Sequence, residues 1–262
     1  MDLGLHGKVV LIIGASSGIG AATARLLHAE GARVALVARN ERALAELSAE
    51  LGGADAALPI SADAGARNVM DNVVAQTVRH FGALHGLAVI AAPMGARAPL
   101  HELSDADWDY YYHNSLMIAV SACRAAIPVL TRQPSSAAVL TCAYSIHAQK
   151  PQLVAYTAMK SAVASLGKNL AKTYGAQGLR VNCIAPGVME KTPADRRELS
   201  QRYGVPEERA RYEFVRREFG MTVALERAGR HEEFADSIAY LLSERASYIS
   251  GATVNIDGGT DF

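Results

Sequence analysis

Val9-Val10-Leu11-Ile12-Ile13 is an unbroken apolar run that ends on Gly14 and leads into Ala15-Ser16-Ser17-Gly18-Ile19-Gly20. Five consecutive apolar residues lack the every-other pattern of a strand with one wet face. They suit a strand covered on both sides, as in a parallel sheet. The same punctuation then repeats. The pattern predicts a helix over 19–30 stopped by Gly31, a strand over 33–38, and a helix over 41–51 ended by Gly52-Gly53. A strand over 56–60, a helix over 69–81 and a strand over 87–91 follow. Beyond them come a long helix within 104–131 stopped near Pro128, a strand over 138–142 and a helix over 154–174. A strand over 180–184, a helix over 232–243 and a short strand over 253–256 complete the series. Such alternation implies right-handed crossovers and an α/β fold: a doubly wound parallel sheet of Rossmann type, three layers deep. No linker or low-complexity stretch interrupts it, so residues 1–262 read as a single domain.

Residues 189–228 break the pattern. They are rich in Arg and Glu and predict two short helices, near 194–203 and 206–219. A long excursion after a strand end is where a helical substrate lid sits. The competing reading is a solvated flap that packs on a neighbouring subunit.

Bulk properties remove several function classes. The 26 Lys and Arg balance 26 Asp and Glu, so no long-range field favours nucleic acid or an acidic membrane. No uninterrupted apolar run approaches the ~20 residues that span a bilayer, and no signal peptide is evident. Cys123, Cys142 and Cys183 are too few and too scattered for a disulfide framework or a zinc site. The expectation is a soluble, cytoplasmic protein with no metal.

Two motifs about 140 residues apart carry chemistry. In the first, glycines let the chain turn sharply and bring phosphate against backbone N–H groups at a helix start. Gly14, Ser16, Ser17, Gly18, Ile19 and Gly20 are therefore expected to hold a dinucleotide pyrophosphate. The second strand ends in Val37-Ala38-Arg39-Asn40, with no acid to grip a ribose 2′-hydroxyl. Arg39 can instead pair with a 2′-phosphate, which favours NADP (NADPH) over NAD unless Arg39 is only a surface residue. The second motif is Tyr156-Thr157-Ala158-Met159-Lys160. Its Tyr and Lys share a helix face at i, i+4. A nearby ammonium is expected to lower the phenol below its reference value of ~10, which readies it for acid–base work. The plainer reading is an exposed helix pair.

At this point the chain resembles the short-chain dehydrogenase/reductase family, over essentially its whole length. The family's glycine loop matches residues 14–20, with Ile13 where Thr is usual, and its adenine-contacting Asp matches Asp63. Its catalytic Tyr and Lys match Tyr156 and Lys160. Arg180-Val181-Asn182-Cys183-Ile184-Ala185-Pro186-Gly187 matches the strand and turn beside the nicotinamide, and Asp257-Gly258-Gly259 matches the tail. The departures are equally local. Val89-Ile90-Ala91-Ala92 stands where Asn-Asn-Ala-Gly is usual. The usual catalytic Ser, thirteen residues before the Tyr, is Ala143, while Pro151 keeps its offset. The helix Asn falls on Ser115, with Asn114 one position away, about 100° around a helix.

Losing the Ser hydroxyl removes an oxyanion donor, at a cost of ~2.7–4 kcal/mol. Ser145, Tyr144, Cys142 and Thr141 are nearby candidates to replace it; Ser115 or a rotated Asn114 could take over from the Asn. The resemblance implies cofactor contacts from Asp63, Ala64, Ala91, Tyr156, Lys160, Pro186 and Gly187 as well as the loop and Arg39. It implies an NADPH-dependent oxidoreductase that exchanges hydride with a carbonyl/hydroxyl carbon of a small, largely apolar molecule, with Tyr156 as general acid/base and Lys160 as its activator. It further implies a homo-oligomer, tetramer or dimer, in which the Tyr-bearing helix and the long helix meet a second subunit. Tyr110-Tyr111-Tyr112 is assigned to that contact, His147 is a candidate substrate contact, and Met94, Met159 and Met189 are read as space-filling. Two alternatives stay open: a non-redox isomerase, dehydratase or cyclase that retains NADP, and a nucleotide-binding protein without catalysis.

Overall fold

The apolar runs become the middle layer of a sandwich. The computed structural model describes residues 2–91 and 94–260. Its seven strands are β1 (Val9–Ile13), β2 (Arg33–Ala38), β3 (Ala57–Ser61), β4 (Gly86–Val89), β5 (Ser136–Thr141), β6 (Leu179–Pro186) and β7 (Thr253–Ile256). They form one sheet in the order β3-β2-β1-β4-β5-β6-β7. Every pairing is parallel. The helices are α1 (Gly18–Ala29), α2 (Glu41–Glu50), α3 (Val69–Phe81), α4 (Asp105–Tyr111), α5 (Ile118–Leu130), α6 (Val154–Tyr174), α7 (Pro193–Tyr203), α8 (Glu207–Phe219) and α9 (His231–Leu242).

The central strands are buried on both faces because their alternate residues serve two cores. Val9, Leu11 and Ile13 pack with α3, α5 and α6, whereas Val10 and Ile12 pack with α1, α2 and α9. Leu87 and Val89 of β4 join the first core and Ala88 joins the second. Burial of such side chains is worth ~1.5–3 kcal/mol each, which is why β1 and β4 show no polar alternation.

The long helix differs from its expected form. It does not stop at Pro128; α5 continues to Leu130, which is fully buried. Between α4 and α5 the residues Tyr112–Met117 adopt a π-helix, an inserted residue that the apolar spacing did not reveal. The stretch Asp105–Leu130 is long and apolar enough to cross a membrane by length and composition alone. Its α5 residues Ile118, Ala122, Ala126 and Leu130 pack on the sheet instead.

The 189–228 excursion has a closed neck. The Gly229 N–H donates to the Val188 carbonyl at 2.9 Å, and the Glu190 N–H donates to the Gly229 carbonyl at 2.9 Å. Between these ends lie α7, opened by a Thr192–Asp195 capping box, and α8. Tyr212, Val215, Met221, Val223 and Ala228 form a separate apolar cluster with Val188. Arg216 at 2.6 Å and Arg217 both clasp Glu213, and the Arg216 bond leads in holding that carboxyl at about 2.

One cation locks the far edge of the sheet. The Arg180 guanidinium donates to the carbonyls of Leu241 and Ser243, each at 2.8 Å, at the open end of α9. Replacing it by Met should strand these acceptors and destabilise the protein by about 2–3 kcal/mol. Urea unfolding measures this; a loss under about 0.5 kcal/mol, the scale of an ordinary surface change, contradicts the assignment.

Candidate active site

The strand order reverses at β1, which has β2 on one side and β4 on the other. Ligands of open α/β sheets bind at such a switch point. Here the backbone makes the cradle. Gly14 has φ +95°, and a Cβ on it would lie 2.7 Å from the Ala91 nitrogen. A Cβ on Gly20 would lie 1.9 Å from the Gly14 carbonyl oxygen. Ser17 occupies the N-cap of α1 without a side-chain capping bond, which leaves the first N–H groups of the helix to a ligand. These features fit a dinucleotide pyrophosphate.

The crevice in front of the cradle measures about 500 Å³. Of the expected cofactor contacts, Gly14, Ser16, Ser17, Gly18, Ile19, Gly20, Arg39, Asp63, Ala64 and Ala91 all line it. Arg39 is exposed at the end of β2 and has no carboxylate partner among the described residues. Asn40 is occupied, since its Oδ1 accepts from the Ala43 N–H at 3.1 Å and caps α2. Asp63 accepts from the Gly65 N–H at 3.0 Å. Asn114 also lines the crevice. Its Nδ2 donates to the Tyr110 carbonyl at 2.9 Å, where the α register gives way to the π-helix. Tyr156, Lys160, Pro186 and Gly187 are not part of the crevice wall. They lie further along the same carboxyl edge of the sheet, at the ends of β5 and β6.

Lys160 is fully buried and donates to the carbonyl of Thr141, the last residue of β5, at 2.8 Å. Burial pulls its ammonium down to about 8, against the smaller opposing effect of the Cys142 and Cys183 thiols. Its Nζ lies 5.8 Å from the centre of the Tyr156 ring. The expected acidified phenol is not found. Loss of solvent raises Tyr156 above its ordinary value, Tyr111, Tyr144 and Cys142 add to that shift, and Arg97 opposes it. Lys160 is spent on a backbone carbonyl, and desolvation outweighs it.

The π-helix explains a misread aromatic. Tyr111 does not join Tyr110 and Tyr112 at the surface; it is buried with its ring 5.8 Å from that of Tyr156, edge to face. Its hydroxyl accepts from the Gly95 N–H at 3.1 Å and donates to the Ala96 carbonyl at 2.8 Å, which pins the loop before α4. Ala92, expected in the pocket wall, lies outside the described residues.

The sequence placed a methyl where a hydroxyl is usual, and Ala143 is buried there in extended backbone. Ser145 is fully buried, and its hydroxyl accepts from Thr157 Oγ1 at 2.9 Å, one residue round α6 from Tyr156. Tyr144 extends to the excursion, where its hydroxyl meets the Met221 sulfur at 3.3 Å. Ser115 is buried with its hydroxyl unpartnered, as is the Thr141 hydroxyl. Met189 and His231 line the nucleotide crevice, so Met189 does more than fill space. His231 opens α9, with its imidazole carbon Cδ2 3.7 Å from where a Gly18 Cβ would stand. No local signal marks these two, because Met189 enters the excursion and His231 follows it, and only the fold brings them together. His85 accepts from the Val9 N–H at 3.0 Å, at the opposite edge of the sheet.

Comparison with known proteins places this geometry. The family model described as enoyl-(acyl carrier protein) reductase matches residues 14–261. Cis-4-hydroxycyclohexanecarboxylate dehydrogenase of Sinomonas cyclohexanicum is 32% identical over 254 residues, covering 96% of each chain. A-factor type gamma-butyrolactone 1'-reductase (1S-forming) of Streptomyces virginiae is 33% identical over 258 residues, covering 97% of this chain and 96% of that one. The structure of L-sorbose reductase from Gluconobacter frateurii, complexed with NADPH and L-sorbose, superposes with a TM-score of 0.87 at 30% identity, over 99% of this chain and 98% of that one. A doubly wound sheet, a glycine cradle at its switch point and relatives matched end to end lead to one conclusion: the chain belongs to the short-chain dehydrogenase/reductase family of oxidoreductases.

Proposed function

We propose that the protein is an NADPH-dependent reductase of a carbonyl carbon in a small molecule with a largely apolar body. The carrying observation is that Tyr156 and Lys160 lie on one face of α6 at the carboxyl end of β5, the edge that also bears the glycine cradle. The cradle and Arg39 hold the dinucleotide, and a bound nicotinamide supplies the hydride. Tyr156, held neutral by its surroundings, donates its proton to the substrate oxygen. That protonation state suits reduction, where the phenol begins as an acid. Lys160 then balances the phenolate charge that remains. Ala143 contributes no second donor, so Tyr156 carries oxyanion stabilisation with less help than usual. Residues 189–228 serve as the substrate lid, with Tyr144 bridging to it. Assembly as a homo-oligomer and a cytoplasmic location belong to the same proposal, and half-exposed Tyr110 and Tyr112 suit a subunit contact. The buried methyl at Ala143 also motivates a second reading, non-redox chemistry with NADP retained; product formation without net NADPH oxidation distinguishes it.

Tyr156→Phe should lower NADPH-coupled ketone reduction by about 10²–10⁴-fold while NADPH affinity stays within a factor of a few. A near-normal rate removes Tyr156 from the chemistry. Arg39→Asp should weaken NADPH binding by about 10–100-fold and leave NADH binding little changed, read by nucleotide fluorescence. Equal losses for the two nucleotides contradict the 2′-phosphate assignment.

The pH dependence of stability tests Lys160. Its folded value of about 8 lies below the ordinary 10.5, so the unfolded chain holds more protons between those limits. Stability contributed by this group must therefore rise as pH increases from about 8 toward 10.5. Urea melts of the protein and of Lys160→Met should diverge in favour of the unaltered protein across that window. A constant difference means the amine is not desolvated.

A further inference from the structure

The nucleotide crevice is poor in positive charge. Among the described residues that line it, only Arg39 and His231 can carry a cation, and Asp63 is an acid. Arg39 stands just past the end of β2, away from the glycine turn. The turn from Gly14 to Gly20 holds only glycine, alanine, serine and isoleucine. It therefore meets a dinucleotide's diphosphate with N–H groups and hydroxyls but with no charged side chain. A hydrogen bond from a cation to a phosphate oxygen is roughly twice as strong as a neutral one, so a charged partner at that turn matters.

His231 is placed to be that partner. It is the first residue of α9, and its ring stands against the first residue of α1. Nε2 lies 3.5 Å from where a Cβ on Gly18 would stand. Gly18 directly follows Ser17, whose side chain leaves the helix start uncapped. Nε2 has no hydrogen-bond partner among the described residues, and the side chain keeps 27% of its surface exposed. The other edge of the ring is held. Nδ1 lies 3.8 Å from Glu190 Oε1, and the His231 backbone N–H donates to the same oxygen at 3.4 Å. Glu190 is fixed in turn: its Oε2 accepts from Arg196 Nη1 at 2.8 Å, and its N–H donates to the Gly229 carbonyl at 2.9 Å. A carboxylate beside one ring nitrogen orients an imidazole and leaves the other nitrogen to a ligand. With protons on both nitrogens, the ring offers an N–H from Nε2 to the cradle.

We propose that His231, oriented by Glu190, is the charged ligand of the dinucleotide's diphosphate. Nε2–H donates to a phosphate oxygen seated at the start of α1, beside the backbone N–H groups of the glycine turn. Glu190 is a positioning residue. It also closes the neck of the 189–228 excursion, so the cofactor is gripped where the lid joins the sheet. The diphosphate is common to NADPH and NADH. His231 therefore adds affinity for both, whereas Arg39 chooses between them. This inference rests on the dinucleotide reading of the crevice but not on the carbonyl chemistry.

Calorimetric titration of the full-length protein with NADPH, NADH and 2′-AMP tests it. The last ligand has the adenosine and the 2′-phosphate but no diphosphate. His231→Ala should weaken both dinucleotides by about 10–100-fold and 2′-AMP by less than about twofold. His231→Gln, whose amide nitrogen can stand in for Nε2, should recover about threefold or more of the lost affinity. Glu190→Gln should show the same selective loss in weaker form. Unchanged dinucleotide affinity in His231→Ala, or an equal loss for 2′-AMP, overturns the assignment and leaves the NADPH-dependent reading standing. The selective loss in a protein that reduces no ketone overturns the reductase reading and leaves His231 on the diphosphate. An unaltered protein that binds neither dinucleotide overturns both.

Discussion

A buried ammonium on a backbone carbonyl organises this molecule. Lys160 has no carboxylate partner among the described residues and donates a hydrogen bond to the Thr141 carbonyl. Burying such a charge costs several kcal/mol, so the surrounding packing must fix its position firmly. That one contact sets the rotation of α6 against the end of β5. It thereby carries Tyr156 to the sheet's carboxyl edge and turns Thr157 inward to Ser145. Tyr156 in turn is backed by Tyr111, the last residue of α4, where the helix passes into its π-helical stretch.

The two halves of the site are built from different materials. The nucleotide half is backbone: glycines that pass within van der Waals contact of Ala91 and of each other, and an uncapped helix start. Side-chain identity matters little there, and the half remains intact. The proposed chemical half is made of side chains. Ala143 offers no hydroxyl, Ser115 is buried without a partner, and Tyr156 sits among Tyr111, Tyr144 and Cys142. The result is a phenol that holds its proton. This is a different starting condition from the acidified phenol that the Tyr–Lys spacing suggests.

The sequence was most informative where a single physical rule governs many residues. Burial on both faces leaves apolar runs, so β1, β2 and β7 and helices α3 and α6 were legible to the residue, and most other ends shifted by one or two. The glycine loop was legible because steric need leaves no alternative residue. The π-helix was not, since one inserted residue barely disturbs an apolar period while it redirects Tyr111 and Asn114. Pro128 was read as a stop because its ring is costly in a helix, yet the buried Leu130 draws the chain through one more turn. Met189 was read as filler and His231 received no reading, because their partners in the crevice wall come from distant segments and no spacing rule connects them. The spacing led to the expectation that Lys160 acidifies Tyr156, whereas burial dominates both groups, since desolvation depends on packing that spacing does not encode.

The most direct test of the whole account is a crystal structure with NADP⁺ bound. The account predicts the 2′-phosphate on Arg39, the pyrophosphate against the N–H groups of the Gly14–Gly20 turn, and the nicotinamide ring beside Tyr156 with Lys160 beneath it. A nucleotide bound outside the crevice, or a nicotinamide ring turned away from Tyr156, would contradict it.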